Sequence, residues 1–229
     1  MIELKNKFIN LVVLGSFNPS ILTHKFLVEE CGFVALSSKP KPKDIPIPVV
    51  ASLEYDTLSF FADLGRLQIL EKKCKDPKIS KLPSYLKTYL EKLRYTPITK
   101  CGANFSYELI VEKEKLQSIE NWLKNERNKF CKALNLESVE LEICFAAAEK
   151  EDKITSWSFR TKIKEYEAAT IMKVSYQGSL ENKLKIDFNY EVANLDKDKT
   201  LINSITSGYG KVVDLFNHQV KTIFEGQEL

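Results

Sequence analysis

FINLVVLGSFNPS, residues 8–20, decides the fold, because it changes from a strand pattern to a helix start within a few residues. Apolar residues occupy both alternating faces of residues 8–15, and Asn10 is the polar exception. This pattern is typical of a strand that is central in a sheet or covered on both sides. Asn18-Pro19 then matches a helix N-cap and first helical position. We expect this helix to end at Gly32, which makes the first elements β-α.

The rest of the first half is predicted to contain strands, a loop and a second helix. A short strand is expected at Phe33–Leu36, and alternation predicts another through residues 49–55. Apolar residues fall on even numbers through residue 64 and on odd numbers from residue 67, which predicts one strand with a bulge at Gly65. A helix from Pro83 to Thr96 and the proline-rich loop Ser37–Pro48, expected to be mobile and dispensable for folding, complete this half.

The second half repeats this order. Alternation predicts a strand at Phe105–Val111, and helical spacing predicts a helix at Lys113–Leu134. Further strands are expected around residues 139–145, 155–160, 172–176 and 184–192, before a long helix from Asp198 toward Phe224. The predicted fold class is therefore α+β, with two pseudo-repeated β-α-β(3-4)-α halves, residues 1–96 and 97–229, either separate or in one continuous domain. The sheet is expected to be antiparallel and curved, with the helices packed on one face.

The duplicated β-α-β4-α order resembles the saddle of the TATA-box-binding protein and the folds grouped with it. The resemblance covers nearly the whole chain, but as element order alone. It implies a nucleic-acid-binding module. The paired phenylalanines that such a saddle wedges into the minor groove have no matching turn in this sequence, so DNA bending does not follow from the resemblance.

A second set of short motifs is similar to a sporadically distributed bacterial family of uncharacterised proteins of comparable length. The motifs are Asn18-Pro19 after the first strand, Leu93–Ile98 before a strand, and His218 and Phe224-Glu225 near the end of the last helix. Members of that family often look like halves of two-gene pairs. This resemblance implies a protein partner.

Composition excludes several classes of protein. The 229 residues are 44% hydrophobic, which suffices for a full core, and no apolar run approaches the roughly 18 residues that a membrane span needs. The N-terminus reads as a strand rather than a signal-peptide core, so we expect a cytoplasmic protein without membrane contact. The net charge is +3, with sixteen Lys and Arg against ten Asp and Glu in residues 1–100. This basic excess is small for a dedicated nucleic-acid binder.

Motifs that could carry chemistry each have a plainer structural interpretation. Thr206–Lys211 contains two glycines and a lysine but lacks the spacing of a phosphate-binding loop, so helix packing or a kink is the favoured explanation. Asp214 and His218 are neighbours on a helix without a nucleophile motif beside them. The five cysteines form no CxxC pair, and the carboxylates near residues 149–152 and 196–198 read as solvated turns. We therefore expect no catalytic centre, no cofactor and no metal.

The sequence favours a non-enzymatic binding protein whose partner is another protein or a second copy of the chain. A nucleic-acid-binding saddle is one alternative, with weak and electrostatic affinity, and a small-molecule binder with a cavity between the sheet and the last helix is another. The candidate contacts are loop lysines and two aromatic residues that could offer stacking faces: Lys39, Lys41, Lys43, Lys72, Lys73, Lys75, Lys78, Trp157 and Phe159.

Overall fold

A computed structural model describes residues 3–33, 36, 49–74, 76–110, 139–146, 154–163, 168–177, 183–193, 202–203, 205–214 and 216–217. The strands are β1 (Glu3–Gly15), β2 (Val50–Glu54), β3 (Leu58–Asp63), β4 (Arg66–Lys72), β5 (Ile98–Ile110), β6 (Val139–Ala146), β7 (Ile154–Ile163), β8 (Ala168–Gln177) and β9 (Lys183–Ala193). The helix α1 spans Leu82–Lys92, and short helical turns occur at Pro19–Ile21, Phe26–Glu30 and Pro77–Ile79.

The fold is α+β, as predicted. The nine strands follow the order β2-β3-β4-β1-β5-β9-β8-β7-β6. Neighbours run antiparallel in the pairs β1 with β4, β2 with β3, β3 with β4, β6 with β7 and β7 with β8. The position of β1 between two strands confirms the prediction that it is central. The predicted strands of the second half are confirmed at β5 to β9.

The chain divides into two units. One contains residues 8–104 and 191–210, and the other contains residues 1–7, 105–190 and 211–229. The predicted division into residues 1–96 and 97–229 stays a prediction.

In the unit that contains β2, β3 and β4, one face of the sheet is buried. Cross-strand pairing places Leu11 opposite Ile69, and Ile69 opposite Phe60, and all three side chains are fully buried. Phe33, which follows the turn Phe26–Glu30, stacks on Phe60 at 6.2 Å and contacts Tyr85 of α1 at 4.6 Å between ring centroids, so this segment and α1 cover the face. Each such side chain stabilises the fold by roughly 1.5–3 kcal/mol, so this face supplies the core of the unit.

The predicted first helix is two short helical turns. The Asn18 side chain accepts a hydrogen bond from the backbone of Ser20, which confirms the predicted cap, but the 3₁₀ turn ends at Ile21. A π-helical turn, Phe26–Glu30, follows, and Gly32 adopts a φ of +68°, which confirms the predicted stop. The predicted strand at Phe33–Leu36 is wrong, because the amide of Leu36 donates to the carbonyl of Phe33 at 2.9 Å and closes a turn.

The predicted bulge at Gly65 is also wrong. The chain reverses at Leu64-Gly65, and Ala62 lies opposite Leu67 in an antiparallel hairpin of β3 and β4. Paired residue numbers in this hairpin add up to an odd number, so an even-numbered face of β3 continues on odd numbers in β4. The Asp63 carboxylate stabilises the reversal by accepting the Gly65 amide at 2.9 Å.

In the other unit, aromatic residues form a packed cluster. Phe216 stacks on Phe105 at 5.2 Å and contacts Phe188 at 5.1 Å and Tyr107 at 4.7 Å between centroids. All four side chains are buried. The predicted apolar side of the last helix is thereby confirmed at Phe216. The predicted helix at Lys113–Leu134 lies outside the described residues.

Candidate interaction surface

The face of β1 to β4 that lies opposite the core is the candidate site, and we call it the open face. Cross-strand pairing arranges its side chains in rows. The rows are Val50, Asp63, Arg66 and Leu14; Ser52, Phe61, Gln68 and Val12; Glu54, Ser59, Leu70 and Asn10; and Lys72 with Phe8. None of these side chains is buried, whereas the core face of the same strands contains fully buried residues such as Phe60.

The middle row of the open face contains no charged residue. Phe61, Gln68 and Val12 form the middle row, and Leu70 and Asn10 lie beside them. Aromatic, aliphatic and amide side chains are therefore mixed over neighbouring strands. Such a mixture is typical of surfaces that exclude water against a partner and use a few polar groups for orientation.

The charged residues of the open face lie in opposite pairs. The Lys72 ammonium contacts the Glu54 carboxylate at 2.5 Å, and the Arg66 guanidinium contacts Asp63 at 3.2 Å. Arg66 also lies over the Phe61 ring, 4.7 Å from its centroid. The two cations and two carboxylates cancel, so the open face is electrically neutral.

Two polar atoms of the open face have no hydrogen-bond partner in the described part of the chain. These are Oδ1 of Asn10 and Nε of Arg66, and both atoms are buried. Buried polar atoms are usually hydrogen-bonded, so each such atom lowers the stability of the isolated chain. The rows that contain Asn10 and Arg66 flank the middle row.

The lysines predicted as contacts do not form one basic patch in the described residues. Lys72 ends β4 and is paired with Glu54 on the open face. Lys73 is exposed at a φ of +61°, and Lys78 is exposed in the turn Pro77–Ile79, where its amide donates to Asp76. Lys39, Lys41, Lys43 and Lys75 lie outside the described residues.

Trp157 and Phe159 share one face of β7. Trp157 lies opposite Ile143 and Val174, and Phe159 lies opposite Leu141 and Met172. The other face of β7 carries Ser156, Ser158 and Arg160. The register therefore places both residues on the same side of β7, and their predicted role as contacts stays a prediction.

The remaining candidate chemistry has structural explanations where the chain is described. In the segment Thr206–Lys211, the amide of Thr206 donates to Ile202 and that of Gly208 to Asn203, so these N–H groups are not available to a phosphate. Residues 206–208 form a turn between helical residues, which agrees with the predicted kink. His218 and the predicted acidic turns lie outside the described residues.

Two buried thiols are held in the protonated form. Burial raises the pKa of Cys31 and of Cys74 to about 11 each. A thiol is a weak nucleophile and a poor metal ligand until it loses its proton. In the described ranges, no three His, Cys, Asp or Glu residues are grouped so that they could hold a metal ion.

Sequence reasoning missed the open face as a site. Its residues come from four strands, and the pairs that neutralise it join residues up to 18 positions apart. The available signal was the alternation of β3 and β4, in which Phe61 and Leu70 fall opposite to the core positions.

No helix in the described ranges is long and apolar enough to cross a membrane. No protein-family model matches this chain, and a search of curated proteins found no match either.

Proposed function

We propose that this chain is a non-enzymatic binding protein that recognises a protein partner through the open face. The observation that supports this function is the composition of that face. Apolar and amide side chains occupy its centre, and its charges are neutralised in pairs within the chain. A neutral surface that excludes water is suited to binding another protein. In such an interface, polar residues at the rim can make hydrogen bonds around an apolar centre.

The same composition makes a nucleic acid a weaker candidate. Affinity for nucleic acid comes largely from Lys and Arg residues that neutralise phosphates and release counterions. On the open face, Lys72 and Arg66 already contact Glu54 and Asp63. A phosphate would have to displace a carboxylate at each position, so binding there would gain little.

A nucleic-acid-binding saddle is the second candidate, and the strand order favours it. In residues 1–96 the first strand, β1, lies beside the last strand, β4. Next to β4 in the sheet lie β3 and then β2. In residues 97–229 the first strand, β5, lies beside the last strand, β9. Next to β9 in the sheet lie β8, β7 and then β6. This common connection supports the proposal that the halves are pseudo-repeats, as in the folds that the element order resembles.

The test is affinity purification of tagged chain from its native host, with a matched pair of variants. Val12→Asp places a charge in the middle row of the open face, and Ile79→Asp makes the same kind of change at a side chain that is 74% exposed elsewhere. We expect one defined protein to co-purify with the wild type and with Ile79→Asp, and to be lost with Val12→Asp. Thermal unfolding of both variants controls for the fold.

Two results would contradict the proposal. One is recovery of the same proteins with Val12→Asp as with the wild type when both are folded. The other is recovery of nucleic acid that survives washing at physiological salt, which would support the saddle.

A further inference from the structure

The exposed side of α1 is basic. The helix buries its other side, which carries Leu82, Leu86, Tyr89 and Leu90. Residues 81–95 contain four cations and one carboxylate, and this segment alone therefore has a net charge of +3, as much as the whole chain. All five charged residues are exposed, namely Lys81, Lys87, Glu91, Lys92 and Arg94. We call the four cations the basic side of α1.

Ion pairs neutralise other lysines of the same unit. Three such pairs are Lys25 with Glu29, Lys72 with Glu54, and Lys100 with Glu191. The basic side of α1 differs, because none of its four cations forms an ion pair within the described part of the chain. Its charges are therefore not cancelled locally, and they are complementary to an anionic partner.

The stability of the helix does not account for all of these cations. Lys92 and Arg94 lie at the C-terminal end of α1, where the helix dipole favours positive charge. Lys81 lies at the N-terminal end, where its side chain makes no capping hydrogen bond and the first turn contains no acidic residue. A cation at that end opposes the dipole. Lys81 therefore lowers the stability of α1, which favours a role in binding.

An exposed aromatic ring continues the basic side of α1. Tyr95 is 85% exposed, and the Arg94 guanidinium lies 5.0 Å from the centroid of its ring. Lys81 and Lys92 are three helical turns apart, roughly 16 Å along the axis. A row of cations with an aromatic ring is typical of surfaces that bind single-stranded nucleic acid, because cations contact phosphates and bases stack on the ring. An acidic protein segment would contact the cations but would have no base to stack on Tyr95.

We propose that the basic side of α1, together with Tyr95, binds single-stranded nucleic acid. The cations contact phosphates, and Tyr95 stacks on a base. Binding has no sequence preference, because phosphates and base faces are common to all nucleotides. The affinity is weak and depends on salt, because it comes from a few phosphate contacts.

This surface goes beyond the proposed function, because it does not use the open face. Helix α1 packs on the core side of the sheet, where Tyr85 contacts Phe33 and Phe33 stacks on Phe60. The open face lies on the other side of the same strands. A protein partner and a nucleic acid would therefore use different surfaces of this unit.

Two triple variants of the full chain test the charges. One changes Lys81, Lys87 and Lys92 to Gln, and the control changes the paired lysines Lys25, Lys72 and Lys100 to Gln, so each removes three positive charges. Fluorescence anisotropy of a labelled oligothymidylate of about 20 nucleotides, from about 50 to about 200 mM salt, measures binding. Thermal unfolding shows whether both variants are folded.

We expect the α1 triple variant to raise the Kd at least tenfold at about 50 mM salt and to make the log–log salt slope shallower by about 2. The control should leave the Kd within about threefold. Equal weakening in the two variants would show that binding follows net charge alone, and it would overturn the proposal. So would a wild type that does not bind at about 50 mM salt.

Substitutions of Tyr95 test base stacking. Tyr95→Ala should weaken oligothymidylate binding at least fivefold and leave the salt slope unchanged, because a ring contact releases no counterion. Tyr95→Phe keeps the ring and should bind within about twofold of the wild type. Poly-glutamate with the same number of charges should compete poorly. Wild-type affinity in Tyr95→Ala, or equal competition by poly-glutamate, would contradict a nucleic acid as the ligand.

Two further measurements separate this surface from a structural role and from the open face. Lys81→Asp should raise Tm, because the dipole favours an anion at that end of α1, and should still weaken oligothymidylate binding. A raised Tm with unchanged affinity would contradict the assignment of Lys81. The α1 triple variant should recover the co-purifying protein as the wild type does, and Val12→Asp should bind oligothymidylate as the wild type does. Loss of oligothymidylate binding in folded Val12→Asp would place the nucleic acid on the open face and overturn the proposal.

Discussion

Gly15 ends β1 at a point where two backbone segments meet. A Cβ atom added here would overlap the carbonyl oxygen of Pro97 and lie 3.2 Å from the Cα of Ile98. The Ser16 amide donates to the same Pro97 carbonyl at 3.0 Å. The close approach requires a residue without a side chain, because neither neighbour is a flexible group that can move aside.

We predict that Gly15→Ala lowers the free energy of unfolding by about 2 kcal/mol or more, since the backbone must shift to admit the methyl group. Chemical denaturation of the wild type and the variant measures the difference. Gly65→Ala is the control, because its Cβ would meet only the Asp63 carboxylate at 3.7 Å, an ordinary contact. Equal losses at the two positions would contradict the close approach.

Two buried thiols and a buried tyrosine hydroxyl make the fold less stable at alkaline pH. Burial raises the pKa of Cys31 and Cys74 from 9.0 to about 11 and that of Tyr55 from 10.0 to about 12. Above about pH 9 the unfolded chain therefore releases protons that the folded chain retains. The stability that these three groups contribute is fully present below their ordinary pKa values. It is lost as the pH rises through their raised pKa values.

We predict a decline of Tm between about pH 9 and about pH 11 that exceeds the change between pH 7 and pH 9. Thermal unfolding across this range measures it. A double variant, Cys31→Ala with Cys74→Ala, starts from a lower Tm but should decline less steeply. The same slope in the wild type and the double variant would show that the thiols are not responsible.

At the scale of elements, alternation and turn residues predicted most strands, because burial of one face leaves a period of two in the sequence. The sequence predicts a bulge in place of the hairpin at Leu64-Gly65, because a tight reversal and a bulge produce the same change of phase. It predicts one helix in place of the short helical turns at residues 19–30, because capping signals mark a start but not a length. The neutral open face depends on strand register, which the sequence does not display.

The start of α1 depends on one side chain. The Ser80 hydroxyl accepts the Leu82 amide at 3.2 Å and donates to the Glu71 carboxylate at 2.5 Å, which ties the helix to the end of β4. We predict that Ser80→Ala costs about 1–2 kcal/mol of stability in chemical denaturation, because an amide loses its acceptor and a half-buried carboxylate loses its donor. Ser84→Ala, at an exposed helical position, should be nearly neutral. If Ser80→Ala left the free energy of unfolding unchanged, the Ser80 hydroxyl would not stabilise the start of α1.

At the scale of the whole molecule, the net charge of +3 is spread over a chain that pairs cations with carboxylates on the open face. Lys100 and Glu191 form a further pair at 3.1 Å. We therefore expect a long-range attraction to polyanions to be weak. Recognition is expected to depend on shape and on the apolar centre of the open face, and so to tolerate salt.

We predict that duplex and single-stranded oligonucleotides bind the full chain weakly, without sequence preference, and that binding is lost between about 50 and about 200 mM salt. Fluorescence anisotropy at both salt concentrations measures this. Sequence-selective binding that persists at the higher salt would promote the saddle above protein recognition.

The most direct test of the open face as the binding surface is hydroxyl-radical footprinting of the chain, alone and with its co-purified protein. The account predicts that Phe8, Phe61 and Leu70 on the open face become protected. Tyr95, which is 85% exposed, and Ile79 should react equally in both samples. Protection of Tyr95 or Ile79 with an unchanged reactivity of Phe61 would contradict the account.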